Sequence, residues 1–115
     1  MSEYQTTAQR YIDSWNETDP AKRRLIVEEV YTPDATYTDP LGSATGHEAI
    51  DQMLAAVQKQ FAGMAFRLGD VDGHHDIARF TWELGDEAVV VGFDVIVLAG
   101  GRIRHVHGFL DKVPG

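Results

Sequence analysis

The hydrophobic pattern of this chain changes period once, near residue 64, and that change restricts the fold more than any other feature. Before it, apolar residues recur at helical spacing. Ala8, Tyr11, Ile12 and Trp15 fall at i, i+3, i+4 and i+7, one face of a helix over about residues 5–17. Asp19-Pro20 supplies an N-cap followed by proline at the first helical position, opening a second helix that carries Leu25, Ile26 and Val30. The stretch TPDA at 32–35 reads as its stop. Ala35, Tyr37 and Asp39 alternate with Thr36 and Thr38 in a short extended piece that ends at Pro40 and Gly42. In TGHE at 45–48, Thr45 and Glu48 fit a capping box for a third helix, which buries Ile50, Met53, Leu54, Val57 and Phe61.

From Met64 onward, runs near 65–72, 76–84, 88–98 and 102–111 are rich in Val, Ile, Phe and Trp. Turn signals separate them. Gly85-Asp86 joins the middle two, and Gly100-Gly101 suits a two-residue hairpin turn. Such closely spaced strands predict an antiparallel meander. Three helices followed by a curved sheet make an α+β domain, and 115 residues suffice for one domain spanning 1–115. A sheet that curls round the long helix leaves a pocket between them.

The net charge of −8 argues against nucleic acid or anionic membrane as partners, since no basic patch meets phosphates. Lys22-Arg23-Arg24 is followed within a turn by Glu28 and Glu29 and reads as a solvated helix face. The absence of cysteine excludes disulfides and thiolate chemistry. The start has no apolar signal core, and no stretch approaches the ~18 apolar residues of a membrane span. A cytoplasmic protein without a cofactor is the expectation.

One charge interrupts the most apolar run, AVVVGFDVIVLA at 88–99. An ionised carboxylate buried without a partner costs several kcal/mol, so Asp94 must be partnered, neutralised or exposed. Two readings stand: Asp94 faces a pocket, neutral or hydrogen-bonded, or it pairs with Arg79 on a neighbouring strand. Asp39, in the turn sequence DPLG, is equally a candidate base or a turn cap. His105 and His107 share one strand face, and Val106, Gly108 and Leu110 the other. If the latter line a cavity, the histidines lie outside, where a dimer partner packs. No further ligands accompany the histidines, and no metal site is expected.

The order of elements, and YTPDATYTDPLGSATGHEAI in particular, resembles the nuclear transport factor 2-like superfamily, which includes SnoaL-like polyketide cyclases, ketosteroid isomerases and limonene epoxide hydrolases. The resemblance runs from Tyr11 through GRIRHVHGFLD. It implies a cone: a strongly curved, antiparallel or mixed sheet wrapped on about three N-terminal helices, with an apolar cavity, in a homodimer joined through the outer sheet face. Set against ketosteroid isomerase, RYIDSW places a tyrosine donor on Tyr11, DPLG places the catalytic base on Asp39, and FDVIVL places a protonated aspartic acid on Asp94. The hairpin after this last strand is one residue shorter here. Leu110 also stands where a large aromatic is expected, and Arg79 is an added cation. Against the epoxide hydrolases, Arg79-Phe80-Thr81 keeps the arginine but replaces the aspartate by Thr81, and the second carboxylate falls near Gly108, so their water-activating acid is missing.

The chemistry implied is proton transfer on a small apolar carbonyl compound, an isomerisation or a cyclisation. Asp39 would be the base, with Tyr11 and Asp94 as donors to the enolate oxygen. Trp15, Tyr37, Arg79, Val106 and Leu110 would shape the substrate pocket. The alternative is a binding or accessory module that uses the same cavity without chemistry.

Overall fold

A computed structural model describes residues 2–114. Helix α1 spans Glu3–Asn16, with the Ser2 side chain accepting from the Gln5 amide at its N-cap. Its buried side chains include Ala8, Tyr11, Ile12 and Trp15, the expected stripe. Helix α2 spans Pro20–Val30, capped by Asp19, whose carboxylate accepts from the Lys22 amide. Its inner face differs from expectation. Arg23, Val27 and Val30 are buried, spaced by one turn, while Leu25 is 64% exposed. The basic triplet is therefore not a uniformly solvated face, because Arg23 points inward.

Strand β1, Tyr31–Asp39, follows α2 directly: the helix ends at Val30, just before TPDA, which itself lies within the strand. Its pairing with the last strand slips between Tyr31 and Thr36, an irregularity that accommodates Pro33, which has no amide hydrogen for a ladder. Strand β2, Gly42–Thr45, folds back on β1. Helix α3, His47–Gln60, is not started by a capping box. Its N-cap is Gly46 at φ 87, with no side-chain cap, and the Gly46 amide donates to the Ala35 carbonyl at 2.8 Å. Anchoring to β1 thus replaces the Thr45 cap. Ile50 and Leu54 are buried, and Met53, Val57 and Phe61 are half-buried.

Strands β3 (Phe66–His74), β4 (Ile77–Leu84), β5 (Val90–Ala99) and β6 (Arg102–Lys112) form the antiparallel meander. Gly100 and Gly101 make its last turn, both at positive φ as a tight hairpin of this kind requires. The sheet order is β2-β1-β6-β5-β4-β3, and β1 runs parallel to β6, so the six-stranded sheet is mixed. It is curved and not closed, with the helices against its inner face. No helix among the described residues is long and apolar enough to cross a membrane.

Candidate functional site

Asp94 occupies the middle of β5, opposite Phe80 of β4 and Gly108 of β6, and is 2% exposed. The Tyr11 hydroxyl, reaching from α1, donates to Asp94 Oδ2 at 2.8 Å. Burial pushes the Asp94 carboxyl up to about 6. The Tyr11 hydrogen bond opposes that rise, as does the nearby Trp82 N–H, and the Asp39 charge adds to it. The Trp82 N–H lies close enough to favour the ionised carboxylate, yet it makes no hydrogen bond of ordinary geometry. Tyr11 is held well above the usual phenol range by its own burial and by the Asp94 charge, so it remains a donor.

Arg79 is not part of this arrangement. It pairs across the ladder with Val95, one residue out of phase with Asp94, and therefore projects from the other face of the sheet. Its side chain is 65% exposed, and Nη2 sits 3.5 Å from Asp72 Oδ2. The ion-pair account of Asp94 is overturned by strand parity, and Arg79 is removed from the pocket. Among the described residues no cation pairs with Asp94.

Asp39, at the end of β1, is a turn cap in fact: its Oδ1 accepts from the Leu41 and Gly42 amides at 2.8 and 3.1 Å. Oδ2 accepts from the Tyr37 hydroxyl at 2.7 Å. A carboxylate offers about four lone-pair positions, so three donors leave one on Oδ2 free. Burial raises Tyr37 strongly, and the Asp94 and Asp39 charges add to the effect. Gly108 separates the two carboxyl groups. A methyl group there would stand 3.0 Å from Asp94 Oδ1 and 3.2 Å from Asp39 Cβ, so the missing side chain is what brings the acids together. Gly108→Val is expected to wedge them apart. It should unsettle the hydrogen bonds of both aspartates and cost about 1–3 kcal/mol of stability, measurable by urea denaturation.

These groups open on a cavity of about 550 Å³, in the range of small-molecule sites. Tyr11, Asp39 and Asp94 all line it, as do Trp15, Tyr37 and Leu110. Val106 does not. It is 1% exposed and lies further along β6 from Leu110, between Tyr37 and Ile96 in the ladder, as core. The sequence reading passed over Trp82, Phe66 and Phe61 as wall residues. Trp82 was recoverable: it shares the Phe80 face of β4 and lies over Gly92, where any side chain would overlap its ring. The Trp15 indole N–H has no hydrogen-bond partner among the described residues.

The histidines lie on the outer face. His105 Nδ1 is 2.6 Å from Thr36 Oγ1, and His107 is exposed. Among the described residues no group of three or more His, Cys, Asp or Glu gathers to hold a metal ion.

Residues 8–106 match the family model of the SnoaL-like domain. No curated protein matches the chain. Among solved structures, a provisionally named isomerase of the SnoaL-like family from Agrobacterium tumefaciens is 38% identical, with a TM-score of 0.91 over 97% of this chain and 100% of that one. A provisionally named SnoaL-like polyketide cyclase from Jannaschia is 18% identical, with a TM-score of 0.77 over 95% of this chain and 85% of the other. One from Kribbella flavida, provisionally named a ketosteroid isomerase, is 14% identical, with a TM-score of 0.75 over 98% and 81%. The last two speak for the shared fold.

Proposed function

The chain belongs to the SnoaL-like family, and from that footing we propose that it is a proton-transfer isomerase or cyclase acting on a small apolar carbonyl compound. The observation that supports this reading is the convergence of two tyrosine–aspartate pairs, Tyr11–Asp94 and Tyr37–Asp39, on one cavity walled mostly by apolar side chains.

Asp39, ionised, takes a proton from the carbon beside the carbonyl through the open position on Oδ2. The electrons of that C–H bond move onto the carbonyl oxygen. The resulting enolate oxygen rests against Asp94 in its neutral form, which donates to it, while the Tyr11 hydroxyl, its one proton given to Asp94 Oδ2, holds that carboxyl in place. Asp39 then returns the proton to another carbon, which is isomerisation. Alternatively the enolate carbon attacks a second carbonyl, and Asp39 protonates the new alkoxide, which is cyclisation. The order of roles is that long known for ketosteroid isomerase.

The need for a neutral Asp94 sets the pH dependence. With the carboxyl raised to about 6, the donor form is lost as pH rises through that value, so the rate is expected to fall above it. A pH–rate profile checks this; a rate that climbs steadily from pH 5 to 8 contradicts it. The assignment of the base is tested by deuterium incorporation beside the carbonyl of small cyclic enones and 1,3-diketones in heavy water, followed by NMR. Asp39→Asn should slow exchange on the order of a hundredfold or more with the fold intact. Exchange at the parent rate removes Asp39 from the role. No exchange with any compound, together with thermal stabilisation by apolar ligands, would favour the non-catalytic binding module.

A cytoplasmic homodimer is the proposed setting. The outer face of the sheet carries Phe93 and Phe109, whose ring centroids are 6.0 Å apart, with Phe109 53% exposed and Val91, Val95 and Val97 only half-buried. Apolar side chains grouped on an exposed face suit a subunit contact. Phe109→Glu is expected to halve the mass measured by light scattering; an unchanged mass rules this face out.

A further inference from the structure

We propose that the same cavity also takes an apolar ammonium compound, its nitrogen held by the ionised Asp94 and Asp39, and that such a compound excludes the carbonyl substrate. The inference rests on the cavity being the ligand site proposed above, but not on the reaction.

The charge balance of the walls carries it. Two carboxylates face the cavity, and none of its lining residues is Lys, Arg or His. Above the pH at which Asp94 ionises, the hollow holds two negative charges and no compensating cation, with Asp94 2% exposed. A cation brought in by an occupant would offset the loss of hydration that burial imposes. Aromatic rings complete the box. Tyr11 and Trp15 have centroids 6.2 Å apart, Trp15 and Tyr37 5.7 Å, Trp15 and Phe66 5.2 Å, and Phe66 and Trp82 5.3 Å. Ring faces attract ammonium groups, more so where water is excluded.

The groups that bear on Asp94 are few: Tyr11 from α1, Tyr31, Tyr37 and Asp39 from β1, and Trp82 from β4. Gly108 of β6 brings no side chain, and from α3 the polar lining residue is the uncharged Gln60. Among these, Asp94 is the group raised into that range, and its charge is the one that changes between pH 5 and 8.

The test compares 1-adamantylammonium, 1-adamantanol and 1-adamantanecarboxylate, matched in shape and different in charge, by calorimetry with the whole chain. At pH 7.5 the ammonium compound should bind on the order of tenfold more tightly than the alcohol, and the carboxylate weakest. The preference should shrink at pH 5 and largely vanish in Asp94→Asn, while the alcohol keeps its affinity. Asp39→Asn gives a second, smaller loss of preference. The alcohol binding as tightly as the ammonium compound at pH 7.5 overturns the inference, as does a preference that survives in Asp94→Asn. If the alcohol matches the ammonium compound and enone exchange persists, this inference alone falls. If none of the three binds, the cavity reading falls with it.

Discussion

Asp94→Asn is expected to melt well above the parent protein at pH 7.5, with the difference disappearing toward pH 4. The carboxyl is raised from 3.8 to about 6, so the folded state holds its proton more tightly than the unfolded chain does. The stability linked to that proton is complete below about pH 4 and is lost as pH rises through 6. Above that range the parent carries a buried charge that no cation offsets among the described residues, whereas asparagine carries none. A rise from 3.8 to about 6 corresponds to at most about 3 kcal/mol, and we expect about 2 kcal/mol, or roughly 8 °C for a domain of this size. The asparagine carbonyl can still accept from Tyr11, so the hydrogen bond at 2.8 Å survives the exchange. The same variant has a permanently neutral donor, and its exchange rate should lose the fall above pH 6. Thermal melts at pH 4, 6 and 7.5 decide the matter. A variant less stable than the parent at pH 7.5 would make Asp94 a structural residue.

Arg23→Met is expected to cost about 3 kcal/mol. Arg23 Nε is 2.8 Å from Asp51 Oδ1, and its Nη1 donates to Gln58 Oε1 at 3.0 Å. Gln58 in turn donates to the carbonyls of Trp15 and Glu17 at 3.0 and 2.8 Å. One guanidinium therefore ties α2 to α3 and, through Gln58, to the end of α1 that carries Trp15. The arginine and aspartate side chains are 8% and 20% exposed, so removing one leaves the other partly buried and unpaired. Arg23→Lys should recover only part of the loss, because an ammonium cannot span both acceptors. Arg23→Met/Asp51→Leu should recover more than half. Arg24→Met, breaking the exposed pair with Glu28, should cost less than about 0.5 kcal/mol. Urea denaturation gives all four values, and equal losses at Arg23 and Arg24 would contradict the account.

The contrast between those two arginines shows what a linear reading of the chain misses. Both sit in one basic triplet, and only the helix register separates a core cross-link from a solvated charge. Arg79 failed for a related reason. Alternation along β4 puts it opposite in sense to Phe80, but whether Phe80 or Arg79 faces Asp94 depends on the β4–β5 register, which no local pattern specifies. Thr45 had the composition of a cap and lost to Gly46, because the Ala35 carbonyl across β1 provided the anchor. The parallel β1–β6 contact was invisible because it pairs residues 31–38 with residues 103–107, far apart in the sequence, and no local pattern encodes it. Elements with a strong period of their own were legible: the α1 stripe, the meander and the Gly100-Gly101 turn all follow from local chemistry. Asp94 was legible as an anomaly, since a lone carboxylate in an apolar strand demands an explanation. Its partner, Tyr11, 83 residues away, was placed by resemblance and not by spacing.

The central claim is that Asp94 is a buried carboxyl, sharing one cavity with Asp39 and held by Tyr11. Carbon-13 NMR titration of the aspartate carboxyls tests it directly. Asp94 should titrate near 6 in the parent, lower in Asp39→Asn, where the neighbouring charge is gone, and higher in Tyr11→Phe, where the hydrogen bond to the carboxylate is gone. Titration of Asp94 near 4, unmoved by either substitution, would contradict the account.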